Sequence, residues 1–531
     1  MGISTLPVWE ITVYWVCWLS AVVYITENTI LASIEFRKYL SPYDIRKGWT
    51  VLGTTLYKDV SNFEWEFWFS AWGWIVLPCY IGHGIIGSLV NWKCRNLRKQ
   101  FFVLYTVGVV WYVMGLKQLL ILLLHCAISF VTAMSGSSVL VWIVCLLLLA
   151  TLNHEVTVQW LRLAVDDDVL ETKYYLFVFT IAMTNLRYIS FCLEKAKSIQ
   201  FIKSQEMITG ESVQKQKMPH REDAALRAVA QNCNFMDMMT YVFYFPLFFT
   251  GPILTYDKFL EQVNRPPQPW TKPRITHLAL DFVRITWWLG FNYLLLHVVH
   301  LSAIQLQLDL LSSLPLWTLG GVAFWNFQFF QTKYVVMFGL PSCFAKLDQM
   351  EPPAGPICIS HLYLFSTMWQ QFDRGLYQHL KRHIYIPLGG SRHGLFSQLL
   401  ATAACFIFVY YWHGNEVYLA WWSILNFTGV VMEVIGRKTI TSEAVQRMMK
   451  KHWSPSWQRR FLAALLVPNF IFCSMASLVF VGGSDAGKIY FRRLIFGDWP
   501  TSAFMLSAVV YCIIQVAIEI DSKSVKKDKE T

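Results

Sequence analysis

The sequence predicts an all-α polytopic membrane protein, and three observations support this class. Of the 531 residues, 55% are hydrophobic and only 15% are charged, whereas soluble domains contain about 25% charged residues. The mean hydropathy is +0.39. Several apolar runs also reach the roughly 20 residues that a membrane-spanning helix needs. This composition excludes a disordered chain or a nucleic-acid-binding protein, because both are polar and rich in charge.

The apolar runs predict about ten or eleven transmembrane helices plus re-entrant segments. They cover, in order, Pro7–Ile25, Phe67–Trp92, Phe101–Leu116, Gln118–His154 (divided at Ser135–Ser138), Tyr174–Leu193, Ile275–Ile304, Leu316–Phe344, Leu395–Trp412, Val417–Gly436, Phe461–Val481 and Ser502–Ile518. The first run follows no basic segment and precedes no cleavage site, so it predicts a retained span rather than a signal peptide. We find no internal repeat, which argues against a transporter.

Two stretches interrupt this pattern. Residues 194–232 are rich in Lys, Gln and Glu, and they predict a polar loop insertion. Residues 241–256 are apolar but short, and Pro246, Gly251 and Pro252 break them. Broken backbone at membrane depth must be buried in protein or line a cavity, so we predict a re-entrant segment here. The chain is thus predicted to form a single membrane domain over residues 1–518, followed by a basic tail at 519–531.

The distribution of Lys and Arg predicts how the chain is oriented. The stretch Arg437–Arg460 and the C-terminal tail are dense in basic residues. Basic loops stay in the cytoplasm, so both are predicted to be cytoplasmic, and counting spans then places His413 at the lumenal side. Lys488, Arg492 and Arg493 conflict with this scheme, because they fall on the lumenal side. The last residues match the K-x-K-x-x retrieval pattern, which predicts the endoplasmic reticulum membrane.

Two ionisable residues are candidate catalytic groups. His413 follows the uncharged run Leu395–Trp412, and an imidazole at membrane depth is a candidate general base. The structural alternative is a histidine that is hydrogen-bonded to a neighbouring helix. Asp373 falls on the flank of an apolar stripe in a predicted helix over Trp369–Lys381, where a carboxylate needs a partner. Its alternative is an interfacial ion pair with a nearby Arg.

A basic turn is a candidate site for a phosphorylated ligand. The segment Ile384–Arg392 contains a Gly-Gly turn, and Lys381, Arg382 and Arg392 flank it. Cations beside exposed backbone amides can bind phosphate groups. The alternative is an ordinary basic cytoplasmic loop.

Three motifs carry a resemblance to the membrane-bound O-acyltransferase superfamily. They are M-W-x-x-F-D-x-G-L at Met368–Leu376, I-Y-I-P-L-G-G-S at Ile384–Ser391 and W-H-G at Trp412–Gly414. Supporting matches are N-F-E-W at 62–65, G-P-I-L at 251–254 and P-P-x-x-P-x-C at 352–358. Within the superfamily the chain resembles the protein-cysteine N-palmitoyltransferases, over nearly its whole length. The polar insertion at 194–232 departs from that pattern.

The resemblance implies a fold, a reaction and a site. The implied fold is a set of helices around a central tunnel. The implied reaction moves palmitate from palmitoyl-CoA to the N-terminal cysteine amine of a secreted Hedgehog-like or EGF-like ligand precursor. His413 and Asp373 match catalytic positions, and the candidate substrate contacts are Trp369, Lys381, Arg382, Arg392, Trp412 and Asn415. Cys358 matches a cysteine that ligates haem b, and a free or palmitoylated cysteine is the alternative.

Two other functions remain open from the sequence. One is an O-acyltransferase that acts on a serine or a lipid hydroxyl, since the histidine is common to these branches. The other is a catalytically silent acyltransferase-like binding protein. That branch lacks the W-H-G histidine, which this chain retains at His413. Membrane lipids are expected around the protein, and nucleic acid is not an expected partner.

Overall fold

The computed structural model describes residues 6–71, 73–163, 170–209, 233–414 and 416–530, most of which are helical. The N-terminal helices are α1 (Val8–Glu35), α2 (Phe63–Glu66), α3 (Gly73–Lys93), α4 (Arg98–Met114), α5 (Leu116–Met134), α6 (Ser138–Ala150), α7 (Glu155–Leu163) and α8 (Leu170–Thr209). The central helices are α9 (Phe235–Val242), α10 (Phe245–Phe248), α11 (Tyr256–Val263), α12 (Lys272–Val298), α13 (Leu301–Leu306), α14 (Leu308–Ser313) and α15 (Leu316–Leu347). The C-terminal helices are α16 (Phe365–Phe372), α17 (Arg374–Leu380), α18 (Gly394–His413), α19 (Val417–Thr441), α20 (Glu443–His452), α21 (Pro455–Phe496) and α22 (Thr501–Glu530).

Eight of the described helices are long and apolar enough to cross a membrane, or nine if the bent pair α6 and α7 counts as one span. The eight are α1, α3, α5, α8, α18, α19, α21 and α22. The predicted class is therefore confirmed, although we predicted ten or eleven spans. The difference arises at α4, α12 and α15, which are predicted spans that form continuous helices of 17, 27 and 32 residues but are not among the eight.

A two-stranded antiparallel hairpin, which we did not predict, lies between α1 and α2. Strands β1 (Ile45–Val51) and β2 (Thr54–Asp59) pair from Ile45 opposite Asp59 to Val51 opposite Thr54. At the base of the hairpin, the buried Asp59 carboxylate accepts the backbone N–H groups of Ser302 and Ala303 at 2.8 and 3.1 Å. Most of β1 is exposed, so the strand lacks the alternation of apolar residues by which a sequence signals a half-buried strand.

Helix α8 forms the centre of the largest buried cluster. About 83% of the most apolar stretch of α8 is buried, whereas only 11% of the corresponding stretch of α1 is buried. Helices α5 and α6 pack on one face, and the short helices α9 to α11 cover another. Arg187 of α8 donates to the carbonyl oxygens of Val242 and Leu247 in this broken segment. The guanidinium thereby satisfies carbonyls at a break between helices, which explains a cation inside a predicted span.

The structure shows how three of the predicted segments fold. Residues 241–256 form short, wholly buried helices and an extended stretch, as the Pro and Gly residues suggested. Helix α8 continues to Thr209, so the first part of the predicted polar loop 194–232 is helical, and residues 210–232 lie outside the described ranges. Glu194 is buried there and pairs with Arg382 at 2.8 Å. Helix α22 runs to Glu530, so the predicted tail at 519–531 begins as helix.

Ion pairs at one end of the bundle, and the hairpin and a helix kink at the other, distinguish its two sides. Glu10 near the start of α1 pairs with Arg460 in α21, and Arg459 pairs with Glu519 in α22 at 2.9 Å. These residues define what we call the basic side, which includes the stretch 437–460. The β-hairpin, α13 and the kink in α21 at Gly483, whose φ is 78°, define the opposite face, which we call the hairpin side.

Candidate active site

His413 is the last residue of α18 and lies on the hairpin side. Gly414 ends the helix with φ 110° and ψ 55°, a left-handed conformation that glycine adopts readily. The indole N–H of Trp412 donates to the carbonyl of Ala182 in α8 at 2.9 Å. The side-chain amide of Asn153 donates to the α18 backbone at 3.1 Å. The end of the helix is therefore held on two sides, and this fixes the position of His413.

Aromatic rings surround the His413 imidazole. The ring centroids of Trp412, Phe480 and Trp422 lie 4.7, 5.4 and 6.0 Å from it. The residue is nevertheless exposed, so its ring faces accessible space beside these aromatic residues. No described residue forms a hydrogen bond with the imidazole. The structural alternative, a histidine satisfied by a neighbouring helix, thus finds no support in the described part of the chain.

Asp373 lies at a break between α16 and α17, with φ −124° and ψ 86°. The predicted continuous helix over Trp369–Lys381 is therefore wrong, because two short helices meet at the carboxylate. Its Oδ1 accepts the backbone N–H of Leu376 at 2.9 Å and so caps α17. Burial raises the pKa of this carboxyl to about 6, although the backbone N–H groups of Leu376 and Gly375 act in the opposite direction.

Gly375 joins this break to the broken segment at 251–254. A Cβ atom at Gly375 would lie 2.4 Å from the carbonyl oxygen of Ile253, which is closer than a side chain tolerates. The glycine of the M-W-x-x-F-D-x-G-L motif is therefore required by a backbone-to-backbone contact. This contact also explains how two motifs that are more than a hundred residues apart in sequence meet in the fold.

An aromatic layer connects the Asp373 break with His413. The ring of Trp369 lies 5.5 Å from that of Trp422, which also contacts His413. A second route passes from Phe372, which stacks on Phe330 at 5.3 Å, to Phe480 at 5.8 Å from Phe330. These rings link the predicted residues Trp369 and Trp412 with His413, and they reach Phe372, which precedes Asp373 in the chain.

A polar cluster adjoins this layer, and the sequence analysis missed its role. The carboxylate of Glu64 in α2 pairs with the Lys333 ammonium at 2.6 Å and accepts the Tyr334 hydroxyl at 3.1 Å. The Tyr334 ring lies 5.5 Å from that of Phe372. The Lys333 ammonium also lies 5.3 Å from the centroid of the Phe330 ring, and Phe330 contacts Phe480, a neighbour of His413. The available signals were the N-F-E-W motif and a lone lysine, Lys333, inside a predicted span.

The three predicted cations differ in their surroundings. Arg382 binds Glu194 at 2.8 Å and Asp257 at 3.2 Å, so acidic side chains already engage it. Lys381 and Arg392 are exposed, and neither has an acidic partner among the described residues. Arg392 lies just before α18, at the end of that helix opposite His413. At about 1.5 Å per residue the 20-residue helix separates the two by roughly 30 Å.

A buried histidine pair next to these cations was also missed. His379 and His383 have ring centroids 4.8 Å apart, and His383 Nε2 lies 3.1 Å from Ser190 Oγ. Burial lowers the pKa of His379 to about 3, and it also lowers that of His383. Both rings are therefore neutral at physiological pH. The i, i+4 spacing on a helix was the only sequence signal for this pair.

Two further predicted residues are Asn415 and Cys358. Asn415 lies outside the described residues. Cys358 is exposed in the loop between α15 and α16, where it precedes the single turn Ile359–His361. In the part of the chain that the structure describes, no group of three or more His, Cys, Asp or Glu residues could hold a metal ion. That observation does not bear on haem, for which a single axial thiolate can suffice.

Comparisons with known proteins agree with this geometry. Residues 125–476 match the model of the membrane-bound O-acyltransferase family, MBOAT. The chain is 33% identical to the mouse protein-cysteine N-palmitoyltransferase HHAT over 87% of its length and 88% of that protein. It is 28% identical to the mouse HHAT-like protein, over 98% of this chain and 96% of that one. The chain thus belongs to the membrane-bound O-acyltransferase family, as the motifs suggested.

More distant relatives show the range of this family. The protein-cysteine N-palmitoyltransferase Rasp of Drosophila melanogaster is 27% identical over 89% of this chain and 87% of its own length. The membrane-bound O-acyltransferase GUP1 of Saccharomyces cerevisiae is 26% identical over 56% of this chain and 50% of its own length. The chain is therefore a multi-pass membrane acyltransferase, and at the level of the family its donor is an acyl-CoA.

Proposed function

We propose that this protein transfers palmitate from palmitoyl-CoA to the N-terminal amine of a cysteine in a secreted Hedgehog-like or EGF-like ligand precursor. The observation that carries the proposal is the arrangement of α18. One end presents His413 within a ring of aromatic side chains, and the other end begins beside the exposed cations Lys381 and Arg392. A donor with a charged head and an acceptor on the opposite face both suit this arrangement.

The reaction replaces a thioester with an amide. The acceptor nitrogen attacks the thioester carbonyl carbon, the C–N bond forms and the C–S bond breaks. His413 takes the proton that the nitrogen loses, and the departing CoA sulfur regains a proton to leave as a thiol. An α-amino group has a pKa of about 7.7–8.0, so an appreciable fraction is already the neutral nucleophile near pH 7. An imidazole is therefore a sufficient base.

Asp373 has a positioning role in this proposal. Its cap on α17 holds the Trp369 side of the aromatic layer beside Trp422, which contacts His413. With a pKa of about 6 the carboxyl is mainly ionised at neutral pH, so it presents a negative charge inside the protein. Lys381 and Arg392 would bind the CoA phosphates. Haem at Cys358 is not part of this mechanism, and no step depends on it.

The proposed setting is the endoplasmic reticulum, with the hairpin side in the lumen and the basic side, including the C-terminus, in the cytoplasm. This orientation follows the distribution of Lys and Arg. It places His413 where secreted proteins expose newly formed N-termini, and it leaves the CoA site accessible from the cytoplasm. Epitope tags read after selective permeabilisation test it. A tail that is accessible only when the lumen is opened would reverse the assignment.

A second candidate is transfer to a hydroxyl group. Two yeast proteins that match about half of this chain are named membrane-bound O-acyltransferases. That similarity favours a hydroxyl acceptor. The histidine alone does not choose between an amine and a hydroxyl. A hydroxyl is, however, a weaker nucleophile and demands stronger activation than an amine.

One experiment separates these activities. The purified protein is incubated with labelled palmitoyl-CoA and with peptides that begin with Cys, Ala or Ser. We expect a labelled Cys peptide whose acyl bond survives neutral hydroxylamine, and no labelling once the N-terminus is acetylated. Hydroxylamine-labile labelling of an acetylated peptide would assign the protein to an O- or S-acyl branch. A parallel incubation supplies a lipid with a free hydroxyl group, and absence of labelling on every peptide and on this lipid would favour a silent binding protein.

A further inference from the structure

The turn of the β-hairpin has an unusual residue at its tip. Leu52 and Gly53 form a two-residue turn, and both have positive φ, 50° and 78°. Such turns favour Asn, Asp or Gly at the first position, because other residues are strained there. Leu52 is also 100% exposed. A strained apolar side chain in full contact with solvent suggests that the tip has a binding role.

The residues around the tip share the composition of a membrane interface. Val51 and Trp49 are 49% and 45% exposed, so the apolar surface extends along β1. Arg46 and Lys47 are exposed on the same strand. Apolar side chains at a tip, with Trp and cations slightly behind it, are typical of segments that lie in the headgroup region of a bilayer.

The hairpin extends beyond the end of α12. Its base is held in the protein by the bonds from Asp59 to α13. Its middle crosses the end of α12, where Trp49 stacks on His297 at 4.0 Å and a Cβ at Gly48 would lie 2.4 Å from that ring. The tip extends four residues further, about 13 Å at ~3.3 Å per residue. That exceeds the radius of a helix, which is about 5–6 Å.

Helix α12 is peripheral, which decides what lies beneath the overhanging tip. Its packing partner among the long helices is α15. Its exposed side chains include the large apolar residues Leu280, Val283, Trp287 and Leu294. Although α12 is not among the eight candidate spans, the part of it nearest the hairpin has no Asp, Glu, Lys or Arg after Arg284. This exposed apolar end suits contact with acyl chains. A tip that passes over the end of α12 therefore reaches the surface of the same leaflet.

We propose that the hairpin tip inserts into the leaflet on the hairpin side and binds phospholipid. Val51 and Leu52 contact the upper acyl chains, Trp49 lies among the headgroups, and the cations Arg46 and Lys47 bind phosphate oxygens. A protein partner fits less well, because the apolar surface is small and the neighbouring end of α12, from Thr286 to Val298, has no Asp, Glu, Lys or Arg. This proposal does not depend on the identity of the acceptor.

Photo-crosslinking tests the proposal on the full chain in phospholipid nanodiscs. Benzoylphenylalanine replaces Leu52, and lipid adducts are counted by mass spectrometry. The matched control carries the probe at Asp485, which is exposed beyond the kink in α21 on the same side. We expect at least fivefold more phospholipid adduct at position 52 than at 485. Equal adduct formation, no lipid adduct, or adducts only with a second copy of this chain would overturn the proposal.

A substitution separates insertion from folding. Leu52→Asn suits the positive φ of the turn but removes the apolar side chain. With the probe at Val51, we expect this variant to form at least fivefold less lipid adduct than the protein that retains Leu52. Its thermal midpoint in detergent should not fall. Unchanged lipid adduct in the folded Leu52→Asn protein would show that Leu52 does not drive insertion.

Discussion

The surroundings of His413 and Asp373 differ in how they hold an ionisable group. Three aromatic rings lie beside the His413 imidazole, and no described residue hydrogen-bonds to it. Asp373 is instead tied to its own backbone, since Oδ1 accepts the N–H of Leu376. The first arrangement leaves the ring nitrogens available to a substrate. In the second arrangement, one carboxylate oxygen is engaged in a hydrogen bond that stabilises the fold. Loss of His413 should therefore affect chemistry alone, whereas loss of Asp373 should affect chemistry and structure together.

Replacement of His413 is expected to have the largest effect. His413→Ala should lower turnover by about 10²–10⁴-fold, the usual contribution of a general base. Its thermal midpoint should stay near that of the wild type, because the ring forms no hydrogen bond within the described structure. Single-turnover transfer and thermal unfolding are measured on the same preparation. Trp422→Phe, which keeps an aromatic ring beside His413, serves as the control and should retain most activity. Near-normal turnover in folded His413→Ala would remove this residue from the mechanism.

Asp373→Asn sharpens the comparison, because Asn keeps a cap for α17 but removes the charge. We expect turnover to fall roughly tenfold, equivalent to about 1.4 kcal/mol. Asp373→Ala should in addition lower the free energy of unfolding by about 1 kcal/mol, through loss of the cap. Equal stability of the Asn and Ala variants would contradict the capping role.

The pH dependence of Asp373 has a defined sign. Burial raises its pKa to about 6, so the folded protein holds this proton at pH values where an unfolded chain, with a pKa near 3.9, has lost it. This group therefore destabilises the folded state as pH rises from about 4 to 6. Activity that needs the carboxylate should instead fall as pH drops through about 6. We expect the acidic limb of the kcat profile to change shape in Asp373→Asn, with the remaining limb due to protonation of His413. An identical profile in the variant would show that Asp373 does not contribute to this limb.

The cluster of Glu64 tests whether His413 has an electrostatic partner. Glu64→Gln alone would leave the buried Lys333 ammonium without its carboxylate, which costs several kcal/mol. The double variant Glu64→Gln, Lys333→Met avoids this penalty. We expect its kcat to fall about threefold to tenfold, with the KM for palmitoyl-CoA unchanged, because the pair adjoins the aromatic layer beside His413 and not the cations proposed to bind the donor.

The control for this cluster lies on the same short helix. Glu66 pairs with Lys58, so Glu66→Gln with Lys58→Met makes the same chemical change away from the aromatic layer. It should leave kcat within twofold of the wild type. If both double variants lose activity equally, the cluster around Glu64 serves the stability of α2 and not His413.

The difference between these residues also shows what the sequence could reveal. The W-H-G motif and the uncharged run before it made His413 visible, since a single imidazole at the end of an apolar helix stands out. Glu64 and Lys333 were not visible as a pair, because they lie 269 positions apart and only the fold brings α2 to α15. Similarly, periodicity predicted one helix through Asp373, whereas the close contact of Gly375 with Ile253 and the cap on Leu376 break it.

Membrane spans were predictable where hydrophobicity alone places a helix, as in α3, α18 and α19. The hairpin was not predictable, because most of β1 is exposed and lacks an apolar alternation, and its base is held by bonds from Asp59 to α13 that only the fold creates. The end of the span in α8 was predicted too early at Leu193. Charged residues continue this helix because partners neutralise them in the fold, as Arg382 does for Glu194. Burial of paired charge is a tertiary property that no window of sequence records.

The smallest expected effect concerns the cations at the far end of α18. Lys381 and Arg392 are exposed without a described acidic partner, whereas Arg382 is engaged by Glu194 and Asp257. Arg392→Gln and Lys381→Gln should each raise the KM for palmitoyl-CoA about twofold to fivefold with little change in kcat, as expected when one exposed contact to a phosphate is lost. Arg382→Gln should chiefly lower the thermal midpoint.

A truncated donor distinguishes phosphate binding from a general effect on the site. Palmitoyl-N-acetylcysteamine keeps the thioester and the acyl chain but lacks the phosphates. Its KM should be the same for the wild type and Arg392→Gln, while the KM for palmitoyl-CoA differs. Its use should still be abolished by His413→Ala, because that residue acts on the bond and not on the head of the donor. An equal rise in KM for both donors would mean that Arg392 shapes the turn at Gly389 and Gly390 and does not bind phosphate.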